Sequence, residues 1–223
     1  MEKNLQKERK GKTRKRPFRF FVYDFVKWTG AWPIVVWFRI KCIYENKDAK
    51  KKIKGGALIC ANHISYKDPI ILSTVMWYRR LHFVALKEMF STKLATWFFT
   101  HILCLPIDRQ NVSINSFKDI IEVLKDRRVV GIFPEGHINH EEGKLDFFKS
   151  GIVLMAMRAK VPIVPMVIIK KDRWWQRQKV VVGQPINLPE GNLNLDQISE
   201  FSEILRQKEG ELIELYNQRR KKK

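Results

Sequence analysis

A chain of 223 residues has room for one catalytic-sized domain with a buried core and little more. A hydrophobic content of 45%, with seven Trp and fourteen Phe, excludes wholesale disorder. Three scattered cysteines, Cys42, Cys60 and Cys104, offer neither a disulfide framework nor a zinc site and fit a reducing compartment. The net charge of +20 implies an anionic partner, either nucleic acid or a lipid surface.

The charge is unevenly placed. Residues 1–16 carry eight Lys/Arg against Glu2 and Glu8, Lys41 to Lys54 carries six Lys against Glu45 and Asp48, and Arg219 to Lys223 is wholly basic. These three segments hold 15 of the 20 excess charges. A nucleic-acid domain would spread its basic residues over a folded face with aromatics interleaved, so basic tails and a linker suit an anionic membrane surface better. The alternative is a pair of solvated tails that aid solubility.

After the basic tail, Pro17 to Tyr44 is rich in Phe, Trp and Val but broken by Arg19, Asp24, Lys27, Arg39 and Lys41. Its longest uncharged run, Trp28 to Phe38, is eleven residues long and contains Gly30 and Pro33. That is well short of the roughly twenty residues needed to span a bilayer. Charge interrupts the apolar stretch and no small-residue cleavage pattern follows, so the segment is expected to be retained. Two short helices hinged near Gly30 and Pro33, with Trp28, Trp32 and Trp37 at headgroup depth, would form an interfacial anchor over residues 17–45. The competing reading is an amphipathic helix pair packed on the domain's own core.

Residues 46–223 form the body, and from residue 57 short apolar runs alternate with helix-length segments, the pattern of an α/β domain. Strands are expected at Ala57–Ala61, His82–Leu86, Cys104–Ile107, Val129–Phe133, Val161–Ile169 and Lys179–Val182. Helices are expected at Pro69–Tyr78, Thr92–Thr100, Val112–Lys125, Phe147–Lys160 and Leu195–Arg220. No glycine pattern matches a dinucleotide or phosphate loop, since Gly55-Gly56 precedes a strand instead of following one.

The informative residues follow the strand Ala57–Ala61. Asn62-His63-Ile64-Ser65-Tyr66-Lys67-Asp68-Pro69 sets a histidine and an aspartate five apart across a loop leading into a helix. A carboxylate that holds one imidazole nitrogen fixes the tautomer, so the other nitrogen can take a proton from a hydroxyl. The bland alternative makes Asp68 the helix N-cap, with Pro69 at the first helical position.

NHISYKD resembles the NHxxxxD block of the glycerolipid acyltransferase family, and further blocks follow in the family's order. Lys87 and Leu105-Pro106-Ile107-Asp108-Arg109 are similar to the second block, Phe133-Pro134-Glu135-Gly136 to the third and Val161-Pro162-Ile163-Val164-Pro165 to the fourth. Phe148-Lys149-Ser150-Gly151 resembles the segment between the last two. The resemblance implies a mixed sheet flanked by helices, over an acyltransferase domain at 46–223 behind the interfacial helix pair. It implies transfer of a fatty acyl group from acyl-CoA or acyl carrier protein, as co-substrate and with no cofactor, to the hydroxyl of a lysolipid, with 1-acylglycerol-3-phosphate to phosphatidic acid the first expectation. His63 would be the base and Asp68 its partner. Lys87 and Arg109 would bind the anionic headgroup, Glu135 would shape the acceptor pocket, and Gly136 would allow close backbone approach. Backbone N–H groups near Gly136 are candidate oxyanion donors.

The family commonly continues the third block with Thr-Arg-Ser, where this chain reads His137-Ile138-Asn139. Isoleucine in place of a phosphate-pairing arginine puts a phosphomonoester acceptor in question. No zinc site is expected around His137 and His140, since no third ligand stands at suitable spacing. The expected setting is the cytoplasmic face of the cell membrane, bound peripherally or monotopically and without nucleic acid. The rivals are a related enzyme acting on another lysolipid, a basic nucleic-acid binder and a catalytically silent membrane module.

Overall fold

A computed structural model of the chain describes residues 20–29, 39–108, 114–139, 148, 150–171, 175–189, 191 and 194–222. The strands are β1 (Lys41–Tyr44), β2 (Ala57–Ala61), β3 (Leu81–Leu86), β4 (Cys104–Ile107), β5 (Val129–Ile132), β6 (Ile163–Ile169) and β7 (Lys179–Val182). The helices are α1 (residues 20–29), α2 (Asp68–Val75), α3 (Lys93–His101), α4 (Ile114–Lys125), α5 (Gly151–Ala159) and α6 (Leu195–Lys221), with a 3₁₀ turn at Lys87–Phe90.

The strands form one mixed sheet in the order β1-β7-β6-β2-β5-β3-β4. All neighbours run parallel except β6 and β7. A parallel strand covered on both faces reads as an unbroken apolar run, and β2, with sequence ALICA and every residue buried, is at the centre. Its alternation separates two cores. Ala57, Ile59 and Ala61 join the residues under α2 and α3, while Leu58 and Cys60 join those under α4, α5 and α6. The chain leaves β2 at Ala61 and β5 at Ile132, so the Asn62–Asp68 and Phe133–Gly136 segments emerge side by side at the same end of adjacent strands. Ligand sites in open α/β sheets lie at this end.

The second face is closed by α6. Asn194 accepts from the Gln197 N–H at 2.8 Å while the Gln197 side chain accepts from the Asn194 N–H, a reciprocal cap that fixes where the helix begins. Lys208, on this helix, pairs with Glu45 at 2.8 Å, tying α6 to the end of β1.

β1 departs from expectation. Lys41–Tyr44, read as part of the helical 17–45 segment, is the sheet's edge strand and pairs with β7 from Lys41↔Lys179 to Tyr44↔Val182. The sheet therefore starts at residue 41, ahead of the expected boundary at 46. Other differences are at ends: β6 begins at Ile163, α2 stops at Val75, and α5 begins at Gly151. The basic tail and the expected second N-terminal helix, with Trp32 and Trp37, lie outside the described residues.

The first N-terminal helix is present, and its two stripes have different tasks. Phe20, Tyr23, Asp24 and Lys27 face the domain. The Tyr23 hydroxyl accepts from the Leu81 N–H at 2.9 Å, and Asp24 takes two bonds from Arg80. Lys27 donates to the carbonyls of Arg79, Trp77 and Met76 at 2.8, 3.2 and 3.4 Å, placing a cation on the turn that follows α2. Burial pulls the Lys27 ammonium down to about 8, against the opposing charge of Asp24. Phe21, Phe25 and Trp28 lie on the opposite stripe and are exposed.

Candidate active site

Asp68 is the first residue of α2, at 0% exposure. It does not cap the helix: the N-cap position is Lys67, and no side chain accepts from the first turn. The carboxylate points back over the loop instead. Its Oδ2 accepts from the Ile64 and Ser65 N–H groups, both at 2.7 Å, and stands 2.9 Å from His63 Nδ1. Three donors on one oxygen fix the loop and the ring together, and the helix N-terminus favours the negative charge. Beside a carboxylate that already accepts twice, His63 carries its proton on Nδ1. Nε2 is then the lone pair available for chemistry.

Aromatic packing sets the plane of the imidazole. His63 stacks on Phe133, with centroids 4.1 Å apart and planes at 16°, and Phe133 stacks on Phe83 at 6.1 Å and 7°. Gly131 makes room for this column, since a Cβ there would lie 2.7 Å from the Phe83 ring. On the other side, the Asn62 amide pairs with both backbone groups of Ile168, accepting at 2.7 Å and donating at 3.1 Å, so the residue before His63 is fastened to β6.

The second segment closes over the first. The Asn139 N–H donates to the His63 carbonyl at 2.7 Å, which brings the His137-Ile138-Asn139 stretch onto the histidine loop. Gly136 has φ +72°, a left-handed turn that favours glycine. Its N–H donates to the Phe133 carbonyl at 3.1 Å and closes the turn. Glu135 is buried. Lys87 is exposed at the start of the 3₁₀ turn, one residue past β3, whose last residue pairs with Ile107 of β4. Arg109, two residues beyond Ile107, lies outside the described residues. Among the described residues no group of three His, Cys, Asp or Glu is placed to hold a metal ion.

A family model described as Acyltransferase matches residues 39–169, more than half of the chain. The chain belongs to the glycerolipid acyltransferase family. A 1-acyl-sn-glycerol-3-phosphate acyltransferase of Bacillus subtilis is 31% identical over 142 residues, covering 60% of this chain and 68% of that protein. A putative enzyme of the same name from Caenorhabditis elegans is 30% identical over 204 residues, covering 85% and 66%. The relative from Streptococcus pneumoniae is matched over only 45% of its length, at 30% identity across 55% of this chain. The crystal structure of the 1-acyl-sn-glycerophosphate acyltransferase PlsC from Thermotoga maritima superposes with a TM-score of 0.63 at 21% identity, covering 90% of this chain and 83% of that one, and shows the shared fold.

The first and third motif blocks thus meet at one end of the sheet, where Asp68, Phe133 and Asn139 each contact His63. Motif reading passed over Asn62, Phe83 and Gly131 as supports, although Asn62 lies inside the NH pair. The dual use of Asp68 predicts an asymmetry between substitutions. Asp68→Ala leaves the Ile64 and Ser65 N–H groups without an acceptor, whereas the amide oxygen of Asp68→Asn can still take them. Urea unfolding should find the alanine variant less stable than the asparagine variant by about 1–3 kcal/mol. Equal stabilities would show that the carboxylate does not hold the loop.

Proposed function

We propose that the chain transfers a fatty acyl group from acyl-CoA or acyl carrier protein to the free hydroxyl of 1-acylglycerol-3-phosphate, giving phosphatidic acid, at the cytoplasmic face of an anionic membrane. The observation that carries this is the contact of His63 Nδ1 with Asp68 Oδ2 at 2.9 Å, within a family whose named relatives act on that acceptor. Nε2 takes the hydroxyl proton as the alcohol oxygen bonds to the thioester carbonyl carbon. Collapse of the tetrahedral adduct breaks the carbon–sulfur bond, and the imidazolium returns the proton to the departing thiolate. Asp68 stabilises the imidazolium between the two steps. Lys87 and Arg109 bind the headgroup, and Glu135 and Gly136 shape the acceptor pocket.

Two predictions test the chemistry and the acceptor. His63→Ala should lower thiol release from the acyl donor by about 10²–10⁴-fold while leaving the fold intact, and a variant keeping half of wild-type turnover would overturn the assignment. Residue 138 stands beside the bond joining Asn139 to the histidine loop. Ile138→Arg should therefore add a counter-charge for a phosphomonoester and raise kcat/KM for lysophosphatidate over a lysophospholipid with a larger headgroup by about tenfold, or about 1.4 kcal/mol. An inert substitution in a wild type already selective by orders of magnitude would mean that another residue supplies that charge.

The membrane setting is supported by where the apolar surface lies. Of fourteen exposed large hydrophobic side chains among the described residues, ten lie on α1, α2, α3 and the segments joining α2 and α3 to their neighbours. They include Phe21, Phe25 and Trp28 on α1 and Leu94, Trp97 and Phe98 on α3. α2 and α3 cover the face of the sheet on which the His63 ring stack lies. Aromatic residues at the interface add apolar burial to the attraction of basic segments for anionic lipid. No helix among the described residues is long and apolar enough to cross a membrane. Replacing Phe21, Phe25 and Trp28 together with Ser should abolish sedimentation with phosphatidylglycerol vesicles at moderate salt without disturbing the inner stripe, and undiminished binding would place the contact elsewhere.

A further inference from the structure

His63 follows β2, at the centre of the sheet, and the strand order puts different strands on its two sides. β5, β3 and β4 lie on one side, and the chain continues from them to Glu135, Lys87 and Arg109, the residues read as the acceptor's. β6, β7 and β1 lie on the other, and they end in no residue of the acceptor site. Transfer between two substrates needs both reacting groups at one histidine, so a donor that does not displace the acceptor has this second side to occupy.

Backbone pairing brings the ends of these three strands to the site end of the sheet. Ile169, the last residue of β6, pairs with Lys179, the first of β7, and Lys179 pairs with Lys41, the first of β1. The buried Gln178 fastens this corner: its amide donates to the Ile169 carbonyl at 2.7 Å, and its own carbonyl accepts from the Lys41 N–H at 2.8 Å. One residue earlier, Ile168 holds both ends of the Asn62 amide, so hydrogen bonds join the corner to the histidine loop. The segments gathered in this way carry Lys67 on the histidine loop, Lys170 and Lys171 after β6, Arg177 before β7, and Arg39 and Lys41 at the start of β1. Lys171 is half-buried and the other five are exposed. Among the described residues of those segments the one acid is Asp68, buried against His63. Burial and the charge of Lys67 lower the Lys171 ammonium from its ordinary value, as expected of cations crowded on one rim.

We propose that this cationic rim binds the phosphate of the acyl donor's phosphopantetheine, so that thioester and hydroxyl reach His63 from opposite sides of β2. The inference rests on the reading of the chain as a thioester-dependent acyltransferase. Coenzyme A and acyl carrier protein present the same chemistry, a thioester at one end of a pantetheine arm and a phosphate at the other. β1 stands three strands from β2, about 14 Å at the usual strand spacing, which leaves an extended arm room to lie between the histidine and the far cations. Like charges held together repel, and a phosphate seated among them relieves the repulsion while taking charge-assisted hydrogen bonds. The rim touches no reacting atom and acts on binding alone.

The test varies the acyl donor at saturating lysophosphatidate, for the full chain and its Lys170→Gln/Lys171→Gln/Arg177→Gln variant. Two small donors isolate the phosphate: a fatty acyl-phosphopantetheine and the same acyl-pantetheine without phosphate. The triple variant should raise the KM for acyl-phosphopantetheine about tenfold, while kcat/KM for acyl-pantetheine and the KM for lysophosphatidate stay within about twofold of wild type. Lys170→Arg/Lys171→Arg/Arg177→Lys keeps every charge and should stay within about threefold of wild type, which separates charge from the other contacts of these side chains. Lys170→Gln/Arg177→Gln, both at exposed positions, replaces the triple variant if that does not fold. Acyl-CoA and acyl carrier protein, run alongside, show the source of the phosphate, which is the donor whose KM rises with the substitutions. An unchanged KM for acyl-phosphopantetheine in a folded variant overturns the inference, even where binding to phosphatidylglycerol vesicles falls, and so does an equal loss with acyl-pantetheine. A wild-type chain that releases thiol from none of the four donors overturns the acyltransferase reading first and this inference with it.

Discussion

The site depends on a single oxygen. Asp68 Oδ2 accepts from two backbone N–H groups and lies against the His63 ring, so loop shape, ring orientation and tautomer are set by one buried carboxylate. The chain delivers that carboxylate by ending β2 at Ala61 and starting α2 at Asp68, with Lys67 at the cap position so that the aspartate is free to turn back on the loop. A residue at the start of a helix is held by the helix and by the core beneath it. Ile71, Leu72 and Met76 supply that core, buried against the same face of the sheet as Phe83. Positioning of the His63–Asp68 pair is therefore a property of packing as much as of the motif.

The two faces of the sheet serve the site differently. On one, the Phe83–Phe133–His63 ring column lies under a layer whose outer surface is apolar and aromatic, where a lipid acceptor would arrive from a bilayer. On the other, α4, α5 and α6 close an apolar core, with the Glu209 carboxyl of α6 buried on this side. The first N-terminal helix is tied to the helix whose first residue is Asp68, because Lys27 holds carbonyls of the turn that follows it, those of Met76, Trp77 and Arg79.

The sequence made the central strands and the order of motifs legible, because a buried parallel strand such as ALICA or IVPMVII has no other reading at that length. β1 was hidden for a physical reason. KCIY is four residues long, partly exposed at the sheet's edge, begins with Lys41 and is followed by Glu45, so it lacks the apolar run that marks its neighbours. The His63–Asp68 pair was legible from spacing and resemblance, whereas its supports were not. Phe83 and Gly131 look like ordinary strand residues until β3 and β5 are set side by side. Glu209 could have been found by continuing the Ile198–Tyr216 stripe at three and four, where a carboxyl falls on a core position of an otherwise apolar face.

The account's central claim is that His63 offers a bare Nε2 because Asp68 holds the proton on Nδ1. The chain has five histidines, so ¹⁵N NMR of histidine-labelled protein, with His63 assigned by comparison with His63→Gln, reads this directly. Neutral His63 should show a protonated Nδ1 and an unprotonated Nε2 in wild type, and the bias should weaken in Asp68→Asn. A neutral His63 protonated on Nε2, or one with the mixed tautomers of an unstructured histidine, would contradict the account.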